Sequence, residues 1–295
     1  MNDSIIETKR LFADVVGHRN DELDLALAAL LIAKAEYPDL NPEEQIERLN
    51  HLAVEVDENV DLTGSVRRAC EQLCSYLAQR LGFRGDDENH YDARNNYLND
   101  VLDRHRGSSA ALAVLYIEVG RRLGIEMRPV VFPAHLLLRV ATKSREDVFI
   151  DPYDSGRVLD LEGCRDLLHT LYGDTRAFRE SLVAPGTRRQ VVARLLQDLR
   201  FVYLQENRLG KAVRTLELLV ALTPWDLEQI RERGFLYARA GNKEAAIADL
   251  NAYLQNAPPG ASLQPVKDAL RRLLRVPPAP AEAPEDIDGD DADDH

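Results

Sequence analysis

Three polar residues stand at positions where they could act together on an amide or acyl group. Ser109 opens a long apolar segment predicted to be a helix, "SAALAVLYIEVGRRL"; His135 begins the strand-like stretch "HLLLRV", and Asp151 ends the stretch "VFID". A helix N-terminus favours an anion, a histidine can take a proton from a nucleophile, and a carboxylate can orient that histidine. The order therefore predicts a nucleophile, an imidazole and a carboxylate in one site.

Each of these residues also has an interpretation without catalysis. A serine hydroxyl is much less acidic than a thiol, and a helix dipole contributes only roughly 0.3–1 kcal/mol to its activation. Serine is also a favourable N-cap residue, worth on the order of 1 kcal/mol. We therefore expect Ser109 to be a helix cap, with a hydrolytic serine as the alternative. His135 lies among leucines and is alternatively a core residue, and Asp151 precedes Pro152 and alternatively shapes a turn.

Four further residues are predicted to line the same cleft. Asn95 and Asn96 lie in a polar cluster before a short predicted helix, for which Asn96 is also the expected cap. Arg106 adjoins Gly107 and is alternatively an ordinary solvated charge. Arg139 lies an even number of residues after His135, which predicts the same face of the strand, with a surface charge as the alternative.

The elements that would position these residues predict an α+β fold. Residues 5–82 have the apolar spacing and the cap residues of helices. "MRPVVFPAHLLLRVA" and "DVFIDPYD" are rich in Val, Ile and Phe and are bounded by Pro, Gly and Asp, as strands are. The pattern therefore predicts a helical layer packed on a small antiparallel sheet.

A repeat of 34 residues follows from about residue 190. The set Leu196, Tyr203, Ala212, Leu216 and Pro224 recurs as Ile230, Tyr237, Ala246, Leu250 and Pro258. This spacing resembles the tetratricopeptide repeat, a pair of antiparallel helices. The alanines would let the paired helices approach closely, and "LQPVKDALRRLL" would be the capping helix.

The charge of the chain is concentrated at its end. The net charge is −13 over 295 residues, and the segment 277–295 carries eight acidic residues without any Lys or Arg, which leaves −5 for the rest. That segment cannot bury enough apolar surface to fold, so we expect a solvated acidic tail. No basic face is evident from the sequence, and nucleic-acid binding is therefore not expected.

The cysteines and the apolar runs indicate a reduced cytoplasmic protein. Cys70, Cys74 and Cys164 form no even disulfide framework, and no matching ligand cluster accompanies Cys70 and Cys74. The N-terminus has no signal-peptide organisation, and "LALAALLIA" is too short to span a bilayer. We expect no metal, no cofactor and no membrane association.

These motifs together resemble the transglutaminase-like superfamily. Its core runs from a helix headed by cysteine through "LGI" to a strand histidine and a strand aspartate before proline. The stretches "LGFRGDDENHYDARNNYLNDVLDRHRG", "VLYIEVGRRLGI", "VFPAHLLLRV" and "FIDPYDSG" are more similar still to the bacterial SirB-like proteins. Counted back from Gly124, the cysteine of the superfamily falls at Ser109.

The resemblance implies the domain organisation and bears on the function. It implies a transglutaminase-like (papain-like) domain with a helical N-terminal layer over 1–185, tetratricopeptide-like helices over 186–276 and the acidic tail over 277–295. We expect a non-catalytic scaffold or regulatory module that binds a protein or peptide partner through its cleft and repeats. The alternative is an amide-acting hydrolase or acyl transferase that uses Ser109, His135 and Asp151.

Overall fold

The computed structural model describes residues 2–19, 22–133, 135–142, 147–173 and 178–274. It confirms the α+β class. The helices are α1 (Asn2–Gly17), α2 (Leu25–Lys34), α3 (Pro42–Asn59), α4 (Val66–Cys74), α5 (Leu98–Arg104), α6 (Ser109–Arg122), α7 (Leu161–Tyr172), α8 (Arg188–Gln205), α9 (Leu209–Leu222), α10 (Leu227–Arg239), α11 (Lys243–Asn256) and α12 (Gln264–Leu274). The strands are β1 (Arg84–Gly85), β2 (Arg106–Gly107), β3 (Arg128–Val131), β4 (Leu136–Val140), β5 (Val148–Asp151) and β6 (Arg157–Leu159).

Helix α6 is the centre of the first part of the chain. Its residues from Ser109 to Gly120 are all buried, including Tyr116 and Glu118. A helix that is apolar on nearly every side is stable only when other elements surround it. Helices α2, α3, α5 and α8 and strand β4 pack against α6, so the N-terminus of this helix is set deep in the protein.

A four-stranded antiparallel sheet in the order β3-β4-β5-β6 lies against α6. Leu136 and Leu138 of β4 face the core around α6, whereas Leu137 faces a second cluster that includes Cys164 and Leu168 of α7. The alternation of side chains along a strand thus separates two apolar layers. Strands β1 and β2 form a separate two-residue parallel pair.

The helical repeats are confirmed in α8 to α12. Ala212 and Ala246 are completely buried where paired helices approach each other. Pro224 follows the end of α9, and Pro258 follows the end of α11. Helix α12 packs on α10 and α11 through Val266, as expected of a capping helix.

Helix α8 also belongs to the core of the first part. Its residues Val191, Leu195 and Leu199 share one apolar cluster with residues of α2 and α6. The division of the chain at 185/186 stays a prediction, since this core continues across it. The predicted acidic tail lies outside the described residues. No helix in the described ranges is long and apolar enough to cross a membrane.

Candidate functional site

A cavity of about 160 Å³ lies at the N-terminus of α6, between the loops that precede this helix and one face of α8. Two of the three predicted catalytic residues, Ser109 and His135, line it, and Asp151 lies directly behind His135. The lining consists of Asp86, His90, Tyr91, Asn95, Asn96, Gly107, Ser108, Ser109, His135, Tyr153, Arg194, Asp198, Phe201 and Val202.

The prediction that Ser109 caps α6 is wrong. The cap is Ser108, whose side-chain oxygen accepts a hydrogen bond from the Ala111 amide at 3.2 Å. Ser109 is the first residue inside the helix and is 8% exposed. Its hydroxyl has no hydrogen-bond partner in the part of the chain that the structure describes. Two adjacent serines made the cap ambiguous, and the structure leaves Ser109 facing the cavity without a capping role.

His135 and Asp151 form a buried polar pair. The Nδ1 atom of His135 lies 3.3 Å from Oδ2 of Asp151, whose side chain is 1% exposed. The other oxygen of Asp151 accepts hydrogen bonds from the amides of Tyr153 at 3.0 Å and Asp154 at 3.2 Å. The turn after β5 therefore fixes the carboxylate, and the carboxylate orients the imidazole. Asp151 therefore shapes the turn and also pairs with His135.

The Asp151 carboxylate also raises the pKa of His135 above its ordinary value of 6.5. Burial and the positive charge of Arg194 act in the opposite direction and lower that pKa. Since Nδ1 and Oδ2 are at ion-pair distance without the alignment of a hydrogen bond, we attribute the increase to the charge of Asp151. A protonated imidazole is therefore stabilised at the wall of the cavity.

Asn95 and Asn96 both line the cavity, but in different roles. The Asn95 carbonyl accepts a hydrogen bond from the Ser108 amide at 2.7 Å, and its side chain bonds to Asn89 and Arg104. Asn95 thus holds the loop that leads into α6. Asn96 does not cap the following helix, because Tyr97 occupies the cap position. Asn96 is 3% exposed, and its Oδ1 has no hydrogen-bond partner among the residues that the structure describes.

Arg106 and Arg139 do not line this cavity. Arg106 donates to the carbonyls of Gly82 and His105 and borders a neighbouring acidic depression, which His135 and Asp151 also line. Arg139 pairs with Asp147 and lies over the ring of Phe149, away from His135. The prediction for Arg139 is wrong because His135 precedes β4, so the alternation of the strand does not extend to it.

Sequence reasoning missed the residues that α8 contributes. Arg194, Asp198 and Phe201 are spaced by four and three residues, which places them on one face of the helix. The Nε of Arg194 donates to both carboxylate oxygens of Asp198, at 2.8 and 3.1 Å. Burial raises the pKa of Asp198, and the charge of Arg194 opposes that increase. The helical spacing of Arg194, Asp198 and Phe201 indicates a polar face on α8, but the repeat pattern does not reveal that this face lines the cavity.

Two aromatic rings stand at the rim. Tyr91 is 63% exposed and Phe201 is 47% exposed, and their ring centroids are 5.6 Å apart. Tyr153 lies deeper, with its ring edge-on to that of His135 at 5.5 Å. Exposed aromatic side chains beside a polar cavity are typical of surfaces that bind other proteins.

The described residues supply no thiol to this cavity. All three cysteines are buried elsewhere, and burial raises the pKa of Cys70 to about 11 and that of Cys164 to about 12. Burial also raises the pKa of Cys74. Such thiols stay protonated at neutral pH and are poor nucleophiles. Within the described ranges, no three His, Cys, Asp or Glu side chains come together as a metal site.

Comparison with known proteins gives two family matches. The model of the transglutaminase-like superfamily matches residues 43–197, and a tetratricopeptide-repeat model matches residues 199–276. The two matches meet inside α8, the helix that forms one wall of the cavity. No solved structure matches the chain significantly.

The relatives are bacterial proteins. A UPF0162 protein of Xylella fastidiosa is 36% identical over 247 residues, which cover 81% of this chain and 86% of the relative. The UPF0162 protein YchA of Escherichia coli is 26% identical over 245 residues, or 82% and 87% of the two chains. Protein SirB1 of Salmonella typhimurium is 25% identical over 268 residues, or 90% and 96%. None of these names specifies a reaction or a ligand.

The capping geometry predicts different effects for the two adjacent serines. Ser108→Ala should lower the free energy of unfolding by about 1 kcal/mol, because the Ala111 amide loses its partner. Ser109→Ala should change it by less than about 0.5 kcal/mol, since the hydroxyl makes no hydrogen bond to any described residue. Urea unfolding of the two variants measures both values. The reverse order of effects would restore Ser109 as the cap.

The pair of His135 and Asp151 predicts a pH dependence. Since the pKa of His135 is raised in the folded protein, its contribution to stability is complete below the unfolded value of about 6.5 and is lost as the pH rises through the folded value. Asp151→Asn keeps an oxygen for the turn amides but removes the charge. The substitution should lower the His135 pKa measured by NMR titration. It should also lower the free energy of unfolding, mainly at pH values below the folded pKa of His135. The exposed Asp57→Asn is the control, and an unchanged His135 pKa in Asp151→Asn would contradict the assignment.

Proposed function

Because the chain belongs to the transglutaminase-like superfamily, in the branch that includes Protein SirB1, and has a serine where that resemblance places the cysteine, we propose that it is a non-catalytic protein-binding module. Its cleft receives a segment of a partner protein. The observation that carries the proposal is the composition of the cavity, whose walls come both from the transglutaminase-like part and from the first repeat helix.

The lining has the properties of a binding site. Asn96 and Ser109 are buried, and neither side chain has a hydrogen-bond partner in the described part of the chain. Buried polar groups without partners are costly, and a ligand that supplies the missing hydrogen bonds removes that cost. Tyr91 and Phe201 add apolar area at the entrance, where aromatic side chains contribute strongly to binding.

The repeats support binding rather than catalysis. Tetratricopeptide repeats generally mediate protein–protein contacts, and the present repeats share α8 with the cavity. A partner that contacts the repeats near Phe201 also reaches the rim of the cleft. We therefore treat the cleft and the adjoining repeat face as one interaction surface.

A second candidate is an amide-acting hydrolase or acyl transferase. It is favoured by one observation: Ser109, which does not cap α6, lines the same cavity as His135. Asp151 orients the His135 ring. An unactivated serine is a weak nucleophile, and this candidate requires His135 to remove its proton. Asp151 would stabilise the imidazolium that this proton transfer forms, so the His135–Asp151 pair is compatible with this candidate. We favour binding because a serine occupies the position at which the resemblance places the cysteine, and a serine hydroxyl is much less acidic than a thiol.

Site-specific photo-crosslinking tests the proposal. A benzoylphenylalanine side chain at position 201, at the rim of the cavity, should crosslink to a partner in cells of the source organism. The same side chain at position 54 should not, since Val54, at 55%, is at least as exposed as Phe201, at 47%, but lies on α3. Position 225, where Trp225 is 68% exposed in the repeats, reports on the repeat surface. Crosslinks at 225 alone, or equal crosslinks at 54 and 201, would contradict a role for the cleft.

A further inference from the structure

The unused hydrogen-bonding groups of the cavity are mostly donors. Arg194 uses only its Nε atom to bind Asp198, and its two terminal nitrogens have no acceptor in the described part of the chain. The Ser109 hydroxyl is also unpaired, and the amides at the start of α6 have no partner within the helix. His135 has Nδ1 beside Asp151, so its Nε2 is the ring nitrogen left to bond to a ligand. A cavity of this kind favours a ligand rich in acceptors.

The two carboxylates that line the cavity, those of Asp86 and Asp198, are each paired with an arginine. Asp86 pairs with Arg104 at 2.9 Å and accepts the Asn89 amide at 3.0 Å, and Asp198 is held by Arg194. The fork of N–H groups at the outer edge of Arg194 matches a planar carboxylate, which it can bind through two hydrogen bonds. A phosphate dianion fits less well, because Asp198 adjoins the same guanidinium.

One unpaired group requires a donor from the ligand. Asn96 is 97% buried, and its Oδ1 accepts no hydrogen bond from the described residues. A peptide that presents a carboxylate side chain also carries main-chain N–H groups within a few ångströms of it. An acidic residue within a peptide therefore satisfies both the donors around Arg194 and the acceptor of Asn96.

The charge of the repeat region points to the same kind of partner. Residues 186–276 carry fifteen Lys and Arg and nine Asp and Glu, a net charge of +6, although the whole chain has −13. The net charge of −5 outside 277–295 thus includes a cationic segment. Such a segment attracts an acidic chain toward the wall that α8 forms.

We propose that the cavity binds the carboxylate of an acidic residue in an extended segment of a protein partner. Arg194, Ser109 and the start of α6 donate hydrogen bonds to the carboxylate, and Oδ1 of Asn96 accepts a main-chain N–H of the segment. Tyr91 and Phe201 pack against the residues that flank the acidic one. This inference rests on the proposed function and specifies the chemistry of its ligand.

The test compares two synthetic peptides that differ only at the acidic residue. Acetyl-Ala-Phe-Glu-Ala-amide and its glutamine counterpart are titrated into the full-length protein, and the NMR signals of Arg194 Nε and of His135 are followed. We expect the glutamate peptide to shift both signals and to bind at least tenfold more tightly, because glutamine has no charge to pair with Arg194. Arg194→Gln should abolish that difference, and Arg208→Gln, which removes an exposed arginine paired with Glu206, should preserve it.

Two further arms make the result decisive. Inorganic phosphate at the same concentration should not displace the glutamate peptide. In a second arm, the eight acidic residues of 277–295 are replaced by Asn or Gln in the full-length protein. This variant tests whether the carboxylates of that segment compete with the peptide for the cavity. Equal affinity of the two peptides in both the native protein and this variant, or displacement by phosphate, overturns the inference. If crosslinking at position 201 persists in that case, the proposed function stands and only the carboxylate chemistry is wrong.

Discussion

The architecture of the site depends on one constraint, the burial of the N-terminus of α6. This helix is surrounded by the core along most of its length, and the first amides of any helix have no partners within it. The Ser108 side chain accepts a hydrogen bond from one of them, the Ala111 amide, and the Asn95 carbonyl accepts one from the Ser108 amide. The remaining polar groups require a polar cavity at this point. The cavity is therefore a consequence of burying α6 and can persist without a catalytic nucleophile.

The same constraint explains why the repeats cannot be treated as an appendage. Helix α8 covers the cavity with Arg194, Asp198 and Phe201, and its opposite side enters the core beside α2 and α6. Removal of residues 186–276 would expose that core as well as open the cavity. Point changes at the rim therefore give clearer information about partner binding than deletion of the repeats. They also leave intact the ion pairs that join the two parts, such as that of Lys9 with Glu217.

Much of the fold was accessible from sequence because strong periodic patterns specify it. The sequence correctly predicts the mostly apolar helix α6, the Val- and Ile-rich strands and the 34-residue repeat. The positions of individual site residues were less accessible. Ser108 and Ser109 are equally suitable caps, and the backbone decides between them. Arg139 was misplaced because β4 begins one residue after His135. The contribution of α8 depends on tertiary packing, which a repeat pattern does not reveal.

We propose that Ser109, which lines one cavity with His135, is not a nucleophile, whereas a thiol at the same position would be reactive. Mass spectrometry after treatment with a fluorophosphonate and with iodoacetamide tests it directly, on the native chain and on Ser109→Cys. We predict no fluorophosphonate adduct on the native chain. In Ser109→Cys, iodoacetamide should alkylate Sγ at position 109 at pH values below about 8.5, the ordinary thiol pKa. The reaction should also be faster there than at the three buried native cysteines. A fluorophosphonate adduct on Ser109 that disappears in His135→Ala would contradict the claim, as would a thiol at position 109 no more reactive than a free cysteine.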